Sequence, residues 1–230
     1  MPRYGWVVLG VVVFLMAAGV AASGRLVPPL WGVGTFITGG ALGLLLGAGL
    51  GGAALYATLR RRPWVRRATL AGIGPLLAGL LVVGLFVLRP GPATRFNDVA
   101  TDLRDPPVFA VGPAAGIGYP PAWLDWHRQA YPSLASVRLP QPPDATFEAV
   151  LRAARQMDGW EVVHADRAAG IVQAVARTRL FRFEDDVVVR IREDGGKSLV
   201  DLRSRSRIGM GDRGANAQRI QTFLAHLSGR

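Results

Sequence analysis

The chain has 230 residues, half of them hydrophobic, with a mean hydropathy of +0.26 and 27 Lys+Arg against 16 Asp+Glu. It contains no cysteine, which excludes a disulfide framework, thiolate chemistry and Cys-based metal sites. Residues 1–92 hold eight Arg and no acid, whereas the remainder holds 19 basic and 16 acidic residues, so the net charge of +11 sits mostly beside apolar segments and argues against a nucleic-acid partner.

Three apolar stretches come first, at about Trp6 to Ala22, Val33 to Leu59 and Ala68 to Leu88. Each approaches the ~20 residues that a helix needs to cross a bilayer, and in lipid the backbone must satisfy its own hydrogen bonds, which predicts helices. The first stretch has only Arg3 in its n-region and leads straight into further apolar segments. It therefore reads as a retained span, although Ala18 to Ala22 offers small residues for signal-peptide cleavage. Arg60, Arg61, Arg62, Arg66 and Arg67 lie between the second and third stretches and outnumber Arg25 and Arg89 on the opposite side. The positive-inside rule then predicts a multi-pass protein of a bacterial inner membrane, with a cytoplasmic N-terminus and a periplasmic C-terminal domain. No ionisable residue interrupts the spans, which argues against an ion-coupled transporter.

In the second stretch Gly39, Gly43, Gly47 and Gly51 recur at four-residue steps, a glycine zipper on one helix face. Such a face packs closely against another helix, either in the same chain or in a second copy, which would give a homo-oligomer through transmembrane helix 2.

The expected division is a three-helix transmembrane anchor over 1–89, a Pro-rich connector over 90–143 and an α+β domain over 144–230. The connector region carries 11 of the 16 prolines and is expected to wrap the domain that follows. Its aromatic run from Tyr119 to Tyr131 suits either a membrane interface or that domain's core. From Asp144, read as an N-cap, the residues Phe147, Val150, Leu151 and Ala154 form a helical stripe ending near Gly159. Strands are predicted over Trp160–Ala165, Ile171–Phe183, Val187–Arg192 and Ser198–Ile208. Glu184-Asp185-Asp186 is read as a turn, and Glu193 to Gly196 as a hairpin. A helix over Gly214–Leu227 closes the chain. The order α-β-β-β-β-α predicts a two-layer domain, an antiparallel sheet with both helices on one face.

The stretches LFRFEDDVVVRI and VDLRSRSRIGMGDRGANAQRI carry F-x-F-x-D-D, R-S-x-S-R and G-x-x-D-x-G-x-N-x-x-R-I patterns, and Asp105-Pro106-Pro107 precedes Phe109. Over roughly residues 93–228 the chain resembles the bacterial and plastid family of domain of unknown function 1499. The resemblance implies a fold and a membrane or lumenal placement, and no established activity. Short members of that family lack the triple-span anchor.

On a strand Arg203, Arg205 and Arg207 share one face, as do Arg190 with Arg192 and Arg177 with Arg179. Coinciding faces would make a ladder of guanidinium groups, suited to carboxylate or phosphate. The loop holding Arg213 opens a helix whose first amides favour anions. One reading is therefore a ligand site at Arg203, Arg205, Arg207 and Arg213 for an anionic lipid headgroup or envelope polymer. The other is a structural network in which Asp185, Asp186, Asp201 and Asp212 neutralise the arginines, Asp212 caps the last helix, and Asn216 and Arg219 hold the loop.

Among enzyme signatures the chain has no nucleophile elbow, P-loop or dinucleotide fingerprint, and His127, His164 and His226 have no metal spacing. No cofactor is expected. Adjacent strand residues Asp185 and Asp186 face opposite sides and make a poor acid/base pair. The leading expectation is a non-enzymatic binding or assembly module for an anionic envelope component, in contact with membrane lipid. A hydrolase or transferase acting on envelope material and a structural subunit of a membrane complex are the alternatives.

Overall fold

The computed structural model describes residues 2–60, 73, 75–82, 84, 96–209 and 211–228. The chain divides into two compact units, Met1–Pro90 with Leu180–Arg182, and Gly91–Arg179 with Phe183–Arg230.

The first unit contains α1 (Pro2–Ala22) and α2 (Pro29–Leu59), and residues 75–82 are also helical. The chain reverses between α1 and α2 through amides of Leu26 and Val27 that donate to the Ala22 carbonyl. Proline at the first turn of α2 fits there because that turn has no use for its N–H. Among the described residues, Pro29–Ala53 is one helix long and apolar enough to cross a membrane, with mean hydropathy 1.7, and Leu9–Ala22 is apolar but shorter. Most of the expected third span and the arginines after Arg60 lie outside the described residues. Along α2, a Cβ on Gly39 would lie 2.9 Å from Met16 Cγ, and one on Gly43 2.5 Å from the Pro75 carbonyl. One on Gly47 would lie 2.7 Å from Leu76 Cβ, whereas one on Gly51 would meet none of the described residues within 4 Å.

The second unit is an antiparallel sheet with helices. Its strands are β1 (Asp98–Ala100), β2 (Val137–Leu139), β3 (Trp160–Asp166), β4 (Ile171–Arg177), β5 (Glu184–Asp194) and β6 (Lys197–Ser206). Its α-helices are α3 (Leu124–Ala130), α4 (Pro143–Gln156) and α5 (Ala215–Leu227). The sheet order is β1-β6-β5-β4-β3, with β2 also paired to β6. The predicted α-β-β-β-β-α order is present as α4, β3 to β6 and α5, but the sheet has six strands rather than four. The two extra strands are three residues each, too short to show a period of two, and both borrow their register from β6.

Phe147, Val150 and Ala154 of α4 and Ala217, Ile220 and Phe223 of α5 are buried with Val172, Val189, Ile191, Val200 and Leu202 of the sheet. Both helices therefore cover one face. Trp160 stacks on Phe223 with ring centroids 5.2 Å apart, adding specific geometry to the apolar burial. The β5–β6 turn is Gly195-Gly196 with φ of +62° and +78°, the two left-handed positions of a tight hairpin. Glu193 accepts from the Gly196 amide there at 2.8 Å.

Two local expectations need correction. The strand from Ile171 ends at Arg177, and Glu184-Asp185-Asp186 opens β5 instead of forming a turn. The turn is Thr178–Phe183, closed by the Thr178 amide donating to the Phe183 carbonyl and the Phe183 amide donating to Thr178 Oγ. Asp144 is not the cap of α4. Pro142 occupies that position and Pro143 the first turn, so Asp144 is an acidic residue within that turn, favourable to the helix dipole.

Replacing Gly47 with Leu should destabilise the helical unit by about 1–3 kcal/mol, because the new side chain meets the backbone and Cβ of Leu76. Gly51→Leu should leave it unchanged. Thermal unfolding of the full chain in detergent, followed by helical circular dichroism, distinguishes the pair.

Candidate functional site

Along β6 the even residues face the helices and the odd residues face the other side. That second face is covered by residues 101–118, a coil that acts as a clasp. Phe109 and Ala114 of the clasp bury against Val188. Gln173 of β4, fully buried, holds the coil like a surrogate strand: its Oε1 accepts from the amides of Ala110 and Val111, and its Nε2 donates to the Val111 carbonyl.

At the centre of this covered face lies Arg203, 0% exposed. Nε and Nη2 donate to the two oxygens of buried Asp98 at 2.9 and 2.7 Å. Nη1 donates to the carbonyls of Pro107 and Ile117, and Nη2 also to that of Gly118. A guanidinium has five N–H donors, and all five are taken. The group lies between the rings of Phe109 and Tyr119, at 4.9 and 5.5 Å. Burial pushes the Asp98 carboxyl up, and the guanidiniums of Arg203 and Arg205 oppose it. Burial, with Asp98 beside it, pushes the Tyr119 phenol up as well.

The other arginines of this face are met by acids. Arg190 donates to Asp201 and to Asp105, the acid of the Asp105-Pro106-Pro107 motif, and Arg192 reaches Asp102 and Asp201. Burial opposes ionisation of Asp102, but the amides of Asp105 and Arg104 and the Arg192 guanidinium hold its carboxyl below the ordinary value. Arg207 grips Asp186 with Nε and Nη2 at 3.0 and 2.8 Å and also pairs with Glu184. Arg205 differs: its nearest carboxylate oxygen is Asp98 Oδ2 at 3.6 Å, on an acid already held by Arg203. Its side chain is 28% exposed, and among the described residues it donates no hydrogen bond. Arg213 is exposed, at φ +53° in the loop before α5.

The helix side carries a separate polar cluster. Asp185 points here and pairs with Arg219, while its neighbour Asp186 points to the clasp side. Asn216, fully buried, accepts from Ser204 Oγ at 2.6 Å and donates to Ser206 Oγ and the Asn97 carbonyl. Arg219 also donates to Ser204 and Asn216. Asn216 and Arg219 therefore tie α5 to β6 and β1 instead of holding the glycine loop. Asp212 accepts from the amides of Gly214 and Asn216, each at 2.8 Å, and caps α5.

Asp98 and Gln173 do not stand out in the sequence, and Tyr119 and His127 figure there only as part of an aromatic run and as a histidine without metal spacing. One signal was available: Asp98 is the first acid in the chain. His127 is 1% exposed, and its Nε2 accepts from the Ala100 amide at 3.3 Å. It forms part of a cavity of about 590 Å³ lined by residues of the clasp, α3 and the segment after it. Among the described residues no three His, Asp or Glu side chains are grouped to hold a metal ion.

These features define an α+β domain whose antiparallel sheet is held between two helices and its own N-terminal coil through buried charge pairs. The match to the family described as protein of unknown function (DUF1499) spans residues 98–227, more than half of the chain, and the chain belongs to that family. No curated protein matches the sequence. Similar solved structures include CalU16 from Micromonospora echinospora, at 12% identity over 40% of this chain and 72% of that one, with a TM-score of 0.28. TTHA0849 from Thermus thermophilus matches at 12% identity over 41% and 92%, TM-score 0.26, and Ara h 8.0201 at 12% over 41% and 92%, TM-score 0.24. At these scores the likeness carries no argument.

Arg203→Met should cost about 3–5 kcal/mol by leaving Asp98 buried with only the looser Arg205 contact. Denaturant unfolding of the full chain measures it, and Asp98→Asn in the same background should recover part of the loss. Burial and the nearby Arg128 charge push the His127 imidazole down to about 4. Between an ordinary 6.5 and that value the unfolded chain takes up a proton and the native one does not. Stability should therefore fall as pH drops from 6.5 towards 4, by up to about 3 kcal/mol. The same unfolding measurement on His127→Gln should lose most of that acid dependence.

Proposed function

We propose that this chain is a membrane-anchored, non-enzymatic binding module whose C-terminal domain engages an anionic component of the cell envelope through Arg205. The observation that carries the reading is that Arg205, alone among the described arginines of β6, has no carboxylate of its own, while its side chain is partly exposed. Arg203 is outside this role because its donors are all used within the fold. Arg207 is neutralised by Asp186 and Glu184 and serves to hold the β5–β6 end in place. Arg213 is exposed in the adjoining loop and is the second residue of the proposed surface. A catalytic role for Asp185, Asp186 or Asp212 has less support, since the first two point to opposite faces and the third caps a helix.

The placement that goes with this function is a three-span inner-membrane protein with its N-terminus in the cytoplasm and the domain in the periplasm. The apolar helix Pro29–Ala53 and the arginine run from Arg60 to Arg67 support it. Gly39, Gly43 and Gly47 have close neighbours within the chain, which favours packing inside one anchor over a homo-oligomer.

Native mass spectrometry of the full-length protein, released from its own membrane in mild detergent, tests the reading. An anionic lipid or polymer fragment should be retained, and Arg205→Glu should lose it while shifting stability by less than about 1 kcal/mol, as befits a partly exposed, loosely paired charge. Retention unchanged in Arg205→Glu would overturn the assignment.

A further inference from the structure

A second site lies away from Arg205. The cavity of about 590 Å³ is walled by Leu103, Leu134 and Tyr131 on its apolar side, with Arg104, Arg128 and His127 among its polar groups. Its acid, Asp102, is already held by Arg192 and by the amides of Arg104 and Asp105. Among the described residues Arg128 pairs only with the exposed i,i+3 partner Asp125, a pairing worth little in water. The Arg104 side chain is exposed. The free capacity of the cavity is therefore cationic.

His127 sharpens this. Because Nε2 accepts the Ala100 amide, the neutral ring carries its proton on Nδ1. Among the described residues that Nδ1 is buried with no hydrogen-bond partner, an arrangement that native proteins rarely leave unexplained. Phe96, Tyr119 and Tyr131 surround the ring at centroid distances of 5.9, 6.2 and 5.5 Å and offer faces and edges in place of a carbonyl.

We infer that this cavity binds a small amphiphilic carboxylate, its head between Arg104 and Arg128 beside the buried His127 ring and its apolar body against Leu103 and Leu134. The volume suits a small organic molecule. The site does not depend on the Arg205 reading, because Arg205 is not part of its wall.

The chain has three histidines, so selective ¹⁵N-histidine labelling gives a sparse spectrum with His164 and His226 as internal references. Full-length protein in lipid nanodiscs is titrated with hexanoate, and with hexanol as the uncharged control. Hexanoate should shift the His127 Nδ1 signal saturably, with a dissociation constant on the order of 1 mM or tighter, and hexanol should not. Arg104→Gln combined with Arg128→Gln should weaken binding at least tenfold with the His164 and His226 signals in place. Leu134→Trp, which crowds the apolar wall, should weaken the binding. An unmoved His127 signal, an equal response to hexanol, or undiminished affinity in the arginine double variant would each overturn the inference.

Discussion

The pair formed by Asp98 and Arg203 is the contact on which the rest of the domain depends. Both side chains are fully buried, and a buried charge is tolerated only when paired and hydrogen-bonded. Asp98 belongs to β1, Arg203 to β6, and the three carbonyls that complete the guanidinium shell belong to Pro107, Ile117 and Gly118. One side chain thus requires β1, β6 and both the middle and the end of the clasp to be in place together. Leaving any of them out would strand a charge or a donor in the interior. The prolines of the clasp remove amides that would otherwise need partners, so a coil free of regular structure can lie on a sheet face.

The helix side uses a different solution to the same problem. Ser204 and Ser206 of β6 point at α5, where apolar side chains would have served for packing alone. They meet Asn216, whose side-chain oxygen and nitrogen are both engaged, and Arg219, which reaches on to Asp185 of β5. This sets the position of α5 along β6 in a way that interchangeable aliphatic contacts would not, since hydrogen bonds have fixed lengths and directions. The R-S-x-S-R and N-x-x-R patterns thereby acquire a structural meaning. Alternate residues of one strand tie down the clasp on one side and the last helix on the other.

Much of this was legible in the sequence, and the limits follow a pattern. The stripe of α4, the shared faces of Arg190 with Arg192 and of Arg203 with Arg205, and the opposed directions of Asp185 and Asp186 follow from periods of 3.6 and 2, and the Gly195-Gly196 hairpin from its turn residues, all of which are local; Arg179 falls in the turn after β4 and shares no strand face with Arg177. The strands β1 and β2 were missed because three residues carry no period and their partner lies far along the chain. The turn after Arg177 was misplaced because Arg182 adopts positive φ without being glycine, so no turn residue marked it. The partners of the arginines were hardest to see. Asp98 and Asp105 stand about a hundred residues before Arg203 and about eighty-five before Arg190, and nothing local in sequence announces pairing at such a distance.

The charge arithmetic of the clasped face also separates the two readings of the arginine ladder. Arg190 and Arg192 share Asp102, Asp105 and Asp201. Arg207 has Asp186 and shares Glu184 with Arg177, which also holds Glu161. Arg203 has Asp98. Among the described residues each rung but Arg205 has a carboxylate of its own, which favours the structural reading of the ladder and leaves Arg205 as the residue on which the proposed function rests. A single, partly exposed guanidinium contributes little to binding a lone monovalent anion in water. It contributes more against a surface or polymer that presents many charges, where a second contact such as Arg213 becomes intramolecular and a tether keeps the local concentration high. In the proposed reading, membrane anchoring is therefore what gives a modest cationic corner its affinity, and it favours a repeating polyanion or lipid surface over a free small ion.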